Sequence, residues 1–172
     1  VPVSGVDLLL PFGDDDTALP SISAVGASEV QEDAHEEAHD LDLDADALNL
    51  LAEQVKHRDD WVLTPHPGEA ARLLGVDTAA VQRSRLAALA ELQVRYQAVT
   101  VLKGVGTLIG DAAMSWLCPY GNPGMGVGGM GDVLTGVIAA LRAQGLDAAA
   151  AARCGVLAHA YAGDAAAAQG QR

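Results

Sequence analysis

The stretch "GNPGMGVGGMGDVLTGVIAALRAQG" (121–145) is where residue types and spacing first point to chemistry. Gly121, Gly124, Gly126, Gly128, Gly129 and Gly131 crowd ahead of Asp132 and an apolar run of helical period. A backbone without Cβ atoms can approach a ligand closely and turn through φ > 0. Where such a loop feeds a helix, unpaired N–H groups and the positive end of the helix dipole face outward together. That combination suits an anion, usually phosphate. Asp132 is the odd residue for a pure phosphate cradle. It serves either as the helix N-cap or as a base beside a phosphoryl group in transfer, and one residue can do both.

Neither standard phosphate motif accounts for this loop. Gly124, Gly126 and Gly129 match GxGxxG by spacing. A dinucleotide site also needs an acidic residue ending the next strand, about 20 residues on. That region reads "LDAAAAARCGV", which is helical, with Asp147 at its start. A Walker A loop is excluded, because GK[ST] occurs nowhere in the chain.

Two further stretches carry titratable groups next to backbone turns. In "LKGVGT" (102–107), Lys103 ends a β-branched run, and Gly104 and Gly106 free the backbone that follows. A cation and N–H groups then stand at a strand's C-terminal end, where α/β sheets bind ligands. An ordinary hairpin-entry turn is the alternative. In "TPHPGE" (64–69), Pro65 and Pro67 stiffen the chain on either side of His66, with Glu69 three residues on. A rigid loop bearing a titratable group suits a binding site. A Pro-initiated helix with Glu69 in its first turn explains the same letters. His35 and His39 are spaced i, i+4, as a helical metal pair would be. No third ligand accompanies them, and a solvated polar face is the simpler reading.

The elements that must hold these residues are legible from period and punctuation. A short strand is expected at 7–10 and another at 41–43, the latter passing through Asp44 and Asp46 into a helix. A strand at 61–64 leads through the Pro-rich turn to a helix from about 67 that ends at Gly75. Residues 78–96 read as one helix with Val81, Leu86, Leu89 and Leu92 on one side. "AVTVLKG" is a buried strand, and "TLIGDAAMSWLC" a hairpin turning at Gly110-Asp111. Helices follow at 132–143 and 147–167. Strands alternating with helices imply an α/β fold, a parallel or mixed sheet with helices packed on its faces.

Composition narrows the function classes. The chain has 172 residues, the size of one domain, and half are hydrophobic. The net charge of −13 is entirely local. Residues 1–46 carry 13 acidic and no basic side chains, and 47–172 carry 10 of each sign. A chain with no basic stripe is a poor nucleic-acid binder. The acidic segment reads as solvated or disordered. No apolar run approaches the roughly 18–20 residues of a membrane span. Cys118 and Cys154 form no CxxC pair and read as free thiols of a cytoplasmic protein.

Taken in order, "LDADALN" (43–49), "TPHPGEAARLLG" (64–75), "VLKGVGT" (101–107), "NPGMGVGGMGDVLTGVIAALRAQG" (122–145) and "AHAYAGD" (158–164) form a series. That series resembles the ADP/ATP-dependent NAD(P)H-hydrate dehydratase family over about residues 41–170. The resemblance implies a ribokinase-like layered sheet with helices on both faces. It also implies a repair reaction, in which an adenine nucleotide phosphorylates the hydroxyl of hydrated NADH or NADPH and phosphate then leaves. By the same resemblance Asp132 is the catalytic residue and contacts the substrate, as do His66, Asp46 and Asn49. Lys103, Gly104, Val105, Gly106, Thr107 and Gly131 are the nucleotide-binding residues, and Asn122, Gly128 and Gly129 shape the anion loop. ADP or ATP is the co-substrate, with Mg²⁺ and with no protein metal site. A homo-oligomer and an epimerase partner or fused domain are the protein partners the family suggests.

The chain also departs from the family pattern. Nothing in 1–40 matches the Gly-rich βαβ unit and "GPGLG"-like loop that relatives carry, and "GQR" ends it before a final helix. The expectation is therefore an unmatched acidic segment at 1–40 and a partial ribokinase-like domain at 41–172, incomplete on its N-terminal side. Two rival readings remain: a small-molecule kinase of the same superfold, and an inactive nucleotide-binding fragment.

Overall fold

The computed structural model describes residues 6–8, 42–43 and 46–170. The expectations for His35, His39 and most of the acidic segment lie outside them.

Local signals set most of the elements. Strand β1 spans Val6–Leu8 and β2 spans Asp42–Leu43, followed by helix α1 (Asp46–Glu53). Strand β3 (Val62–Leu63) runs into helix α2 (Pro67–Leu74). Pro67 sits in the first turn of α2, where a missing N–H costs nothing. Gly75, at φ 73°, ends it in the left-handed region. Strand β4 (Val99–Leu102) is buried along its whole length. The expected hairpin forms from β5 (Thr107–Gly110) and β6 (Ser115–Cys118). Asp111 Oδ1 closes its turn by accepting from the N–H groups of Ala113 and Met114. Helices α5 (Met130–Ala143) and α6 (Ala148–Ala168) complete the fold, and Asp147 caps α6 through the N–H of Ala150.

One expected helix is two. Residues 78–96 break at Ser84 into α3 (Thr78–Arg83) and α4 (Arg85–Tyr96). Ser84 takes φ −144° and ψ 64°, outside the helical region. Its N–H closes α3 on the Val81 carbonyl, and its own carbonyl accepts from Ala88. Serine is a weak helix former, so the break is cheap there. Because Val81, Ala88, Leu89 and Leu92 are buried across it, the apolar period alone does not reveal it. Leu86, expected on the buried side, is 42% exposed.

The strands form one mixed sheet in the order β1-β6-β5-β4-β3-β2. Strands β2, β3 and β4 are parallel, β5 runs against β4 and β6, and β1 is parallel to β6. Alternation of side chains then divides the core in two. Leu63, Leu102 and Leu108 face α1, α2 and α4 through Leu48, Leu73, Leu89 and Leu92. Val62, Val99, Val101, Ile109 and Trp116 face α5 and α6 through Leu134, Ile138, Ala151 and Val156. Helices therefore cover both faces, as the alternating pattern implies.

This topology delivers the candidate residues to one edge. The parallel strands β2, β3 and β4 end together, so the residues that follow each of them, Asp46, His66 and Lys103, leave from the same side of the sheet. Thr107 opens β5 on that side, because β5 runs back from it. No described helix is long and apolar enough to cross a membrane.

Helices α5 and α6 approach closely at Gly155. A Cβ there would stand 2.7 Å from Ile138 Cγ1, and Ile138 is fully buried. Gly155→Val is expected to lose about 1–3 kcal/mol of stability by overpacking, measurable as a lower urea midpoint with an unchanged slope.

Candidate functional site

The loop after β3 is held by a reciprocal cap. His66 Nδ1 accepts from the N–H groups of Gly68 (3.0 Å) and Glu69 (3.3 Å). The His66 N–H donates to Glu69 Oε2 at 2.7 Å. This is a capping box with histidine in place of the usual hydroxyl residue. Because Nδ1 is the acceptor, the ring hydrogen sits on Nε2, which stands 3.3 Å from Glu69 Oε1. The ring is still 56% exposed, so its edge remains open to a ligand. Gly68 permits this placement, since a Cβ there would stand 2.9 Å from His66 Cε1.

Glu69 joins this loop to the one after β4. Its carboxylate is nearly buried, and Lys103 Nζ approaches Oε2 at 3.9 Å. The Lys103 N–H donates to the Pro65 carbonyl at 2.9 Å. His66 and Lys103 are thus brought together around one carboxylate. Beyond Lys103, Gly104 (φ 140°) and Gly106 (φ 64°) take conformations open to glycine. Val105 is 98% exposed, and the Thr107 hydroxyl donates to the Gly104 carbonyl at 3.1 Å.

The glycine-rich loop is fastened from outside itself. Asp164 on α6 accepts from the N–H of Gly121 and from Asn122 Nδ2, both at 2.9 Å. Asn122 Oδ1 in turn accepts from the N–H of Gly124, starting a single turn over Pro123–Met125. Met125 lies against Gly163, where an added Cβ would come within 2.9 Å of its Cγ. Those two hydrogen bonds, the one from the Gly121 N–H first, hold the Asp164 carboxyl below its ordinary pKa.

The downstream half of the loop is open. Gly129, at φ 88°, is the N-cap of α5 and makes no side-chain cap. Asp132 is therefore in the first turn, three residues past the cap, and does not cap the helix as one sequence reading allowed. Among the described residues, the N–H groups of Gly128, Gly129, Gly131 and Asp132 find no acceptor outside regular structure. A Cβ built on Gly128 or Gly129 would meet nothing within 4 Å. Asp132 is exposed, and no hydrogen bond or ion pair joins it to His66 or Lys103.

Two threonines bind this first turn to the sheet. Thr135 Oγ1 donates to the Gly131 carbonyl at 3.1 Å, and it lies 3.2 Å from Thr64 Oγ1 at the fully buried end of β3. Thr64 precedes the His66 loop directly, so the α5 N-terminus and that loop share one anchor. Asn49 lies one turn along α1 from Asp46. Its Oδ1 accepts from Arg72 Nη1, and it lines a shallow cavity of about 580 Å³ with Ala52, Glu53 and Arg72. Asp46 is the first residue of α1, at the edge where β2 ends.

Sequence reasoning assigned no role to Thr64, Thr135 or Asp164. All three lie inside stretches quoted for the resemblance: Thr64 opens "TPHPGE", Thr135 falls within 122–145, and Asp164 closes "AHAYAGD". Cys118 is buried, and burial pushes its thiol pKa up, which leaves it inert; Cys154 is an exposed free thiol.

The arrangement can bind an anion on backbone N–H groups, with a carboxylate beside it and a histidine and a lysine across the same edge. Comparison with known proteins gives the family. The profile of the NAD(P)H-hydrate dehydratase family matches residues 22–172. A bifunctional NAD(P)H-hydrate repair enzyme, Nnr, of Coxiella burnetii is 58% identical over 129 residues. That match covers 74% of this chain and 26% of the relative, so the chain spans about a quarter of its length. Among solved structures, an ADP/ATP-dependent NAD(P)H-hydrate dehydratase from Bacillus subtilis, co-crystallized with ATP/Mg²⁺, superposes with a TM-score of 0.59 at 35% identity. It covers 62% of this chain and 39% of the other. A ribokinase-like superfamily protein from Enterococcus faecalis gives 0.68 at 30% identity, covering 77% and 47%.

Asp164→Ala should free the Gly121 N–H and the Asn122 amide, raising proteolytic cleavage within 121–129 without unfolding the sheet. The contribution of the wild-type carboxylate is pH-dependent with a definite sign. A depressed carboxyl pKa means the anchor is fully present above the unfolded value of roughly 3.9. It is lost as pH falls through the lower folded value. Carbon-detected titration of the Asp164 carboxyl is expected to show that lowered midpoint. By sequence profile, close relatives and fold, this chain belongs to the NAD(P)H-hydrate dehydratase family.

Proposed function

We propose that this chain restores hydrated NADH or NADPH to NAD(P)H at the expense of an adenine nucleotide, ADP or ATP. The observation that carries this reading is the open row of N–H donors at Gly128–Asp132, with the Asp132 carboxylate in the same helical turn. A phosphate cradle alone has no use for a carboxylate there. A phosphoryl transfer to a hydroxyl does, because a base must take the hydroxyl proton.

The residues present fit a nucleotide. The space over Gly128 and Gly129 is empty of protein, and the donors there are fixed by the helix start. Mg²⁺ commonly takes one or two carboxylates plus substrate phosphates, so it would arrive on the phosphates of the nucleotide. When bound with its metal ion, the nucleotide supplies the phosphoryl group and the charge neutralisation that lets it transfer.

The chain's own residues do the rest. Asp132 accepts the proton of the ring hydroxyl as that oxygen attacks phosphorus. The N–H groups of Gly128, Gly129 and Gly131 hold equatorial phosphate oxygens as charge develops on them. His66 presents its exposed edge to the substrate, fixed in tautomer by the backbone donors on Nδ1. Lys103 and the loop through Thr107 receive the nucleotide. Asp46 lines the substrate side at the start of α1. The nucleotide leaves one phosphate shorter; phosphate then departs from the ring with the C–O electron pair as the neighbouring ring carbon gives up a proton to water, which regenerates the double bond. The homologous enzymes are named as repair proteins, and an epimerase acting on the same substrate is the partner that the bifunctional relatives suggest.

The test is recovery of NADH absorbance from hydrated NADH with Mg²⁺ and ADP or ATP. Signal should appear only with nucleotide and disappear with EDTA. Asp132→Ala should lower the rate by about 10²–10⁴-fold with nucleotide affinity little changed. A folded protein that binds nucleotide but gives no NADH would overturn the proposal.

A further inference from the structure

The 102–107 loop is held by a cation that the proposed reaction does not use. Arg85 opens α4, the helix that begins at the break at Ser84. Its Nη1 donates to the carbonyls of Val105 and Gly106, the latter at 2.9 Å. Its Nη2 donates to the carbonyls of Leu102 at 3.0 Å and Lys103 at 3.4 Å. Four carbonyls within five consecutive residues thus converge on one guanidinium. The fork of Arg is suited to this, since its donors lie in one rigid plane. A Cβ at Gly104 would meet Nη2 at 3.2 Å, so the loop passes directly over the group.

Peptide planarity gives this contact a consequence. In a trans peptide, the carbonyl of one residue and the N–H of the next point in opposite directions. Carbonyls of Lys103 and Val105 turned toward Arg85 therefore turn the N–H groups of Gly104 and Gly106 away from it. The same rule holds at Leu102, where the next N–H, that of Lys103, points across to the Pro65 carbonyl. Among the described residues the N–H groups of Gly104 and Gly106 find no acceptor. They face outward beside the nearly buried Lys103–Glu69 pair.

We infer that Arg85 is a positioning residue for nucleotide binding, which holds the carbonyls of the 102–107 loop so that the N–H groups of Gly104 and Gly106 are presented to nucleotide phosphate oxygens. This rests on the proposed use of an adenine nucleotide. Arg85 touches neither the nucleotide nor the substrate; it acts through the loop. Burial lowers its pKa from the ordinary guanidinium value; carbonyls take the donors of Nη1 and Nη2, while the buried Nε makes no hydrogen bond.

The experiment follows backbone amide resonances of the full chain during titration with Mg-ADP, then compares Arg85→Met and Arg85→Lys in steady-state kinetics. In the wild-type protein, the Gly104 and Gly106 amides should shift on binding. Arg85→Met should raise the KM for ADP about tenfold, the effect of losing a well-placed hydrogen bond to a charged ligand, while the KM for hydrated NADH changes less than twofold. Arg85→Lys, a point charge without the fork, should recover only part of the loss. Wild-type protein that binds ADP with Gly104 and Gly106 unmoved overturns the inference, and this measurement decides it even where Arg85→Met does not fold. A folded Arg85→Met that loses affinity for both ligands alike, or for neither, also overturns it. Wild-type protein that binds neither ADP nor ATP overturns the proposed function itself.

Discussion

A loop that keeps its N–H groups free for a ligand cannot be held together by them. That constraint governs this fold. Regular structure is stable because its backbone donors are consumed. At Gly128, Gly129, Gly131 and Asp132, and at Gly104 and Gly106, they are not, so order there has to come from elsewhere. In the glycine-rich loop it comes from a carboxylate on α6, a methionine seated against Gly163, and a threonine pair tying the α5 start to β3. In the shorter loop it comes from a guanidinium that takes carbonyls and leaves donors alone. Each anchor engages acceptors, side chains or the far end of its loop, and the central donors are untouched.

The sheet gives these anchors their geometry. Three parallel strands ending together place three loops side by side. The reversal at β5 returns the chain to the same edge and lets β6 lead into the glycine-rich loop. The two buried layers are separate, one led by leucines under α1, α2 and α4 and the other by branched and small residues under α5 and α6. Helices α5 and α6 meet with Ile138 seated directly on Gly155. Both ends of the glycine-rich loop are consequently fixed to one closely packed pair.

What could be read from the sequence was what local chemistry writes. Pro67 and Gly75 bracket α2 because one tolerates a missing N–H and the other a positive φ. The hairpin at 107–118 announces itself by Gly110-Asp111 between β-rich runs. The clustering of glycines before Asp132 marked the loop whose central donors are left open. Of the two roles left open for Asp132, that of N-cap falls to Gly129 instead, and no local mark tells the two positions apart. The anchors were invisible for a different reason. Asp164 lies 42 residues from Asn122, and Thr135 lies 71 from Thr64, so neither pairing has a period. Arg85 was hidden further by the break at Ser84, across which the apolar pattern runs on unchanged.

That break bears on which lengths of chain the fold can accept. A helix turns about 100° per residue, so α4 carries Arg85 and its buried Leu89 and Leu92 as one rigid phase. An insertion or deletion ahead of Ser84 would be taken up at the irregular residue, leaving that phase intact. The same change between Arg85 and Leu89 would swing the guanidinium a quarter turn off its carbonyls while the leucines stayed in the core. Variation in length among natural or engineered versions of this segment should therefore collect on the α3 side of the junction and be absent just beyond it.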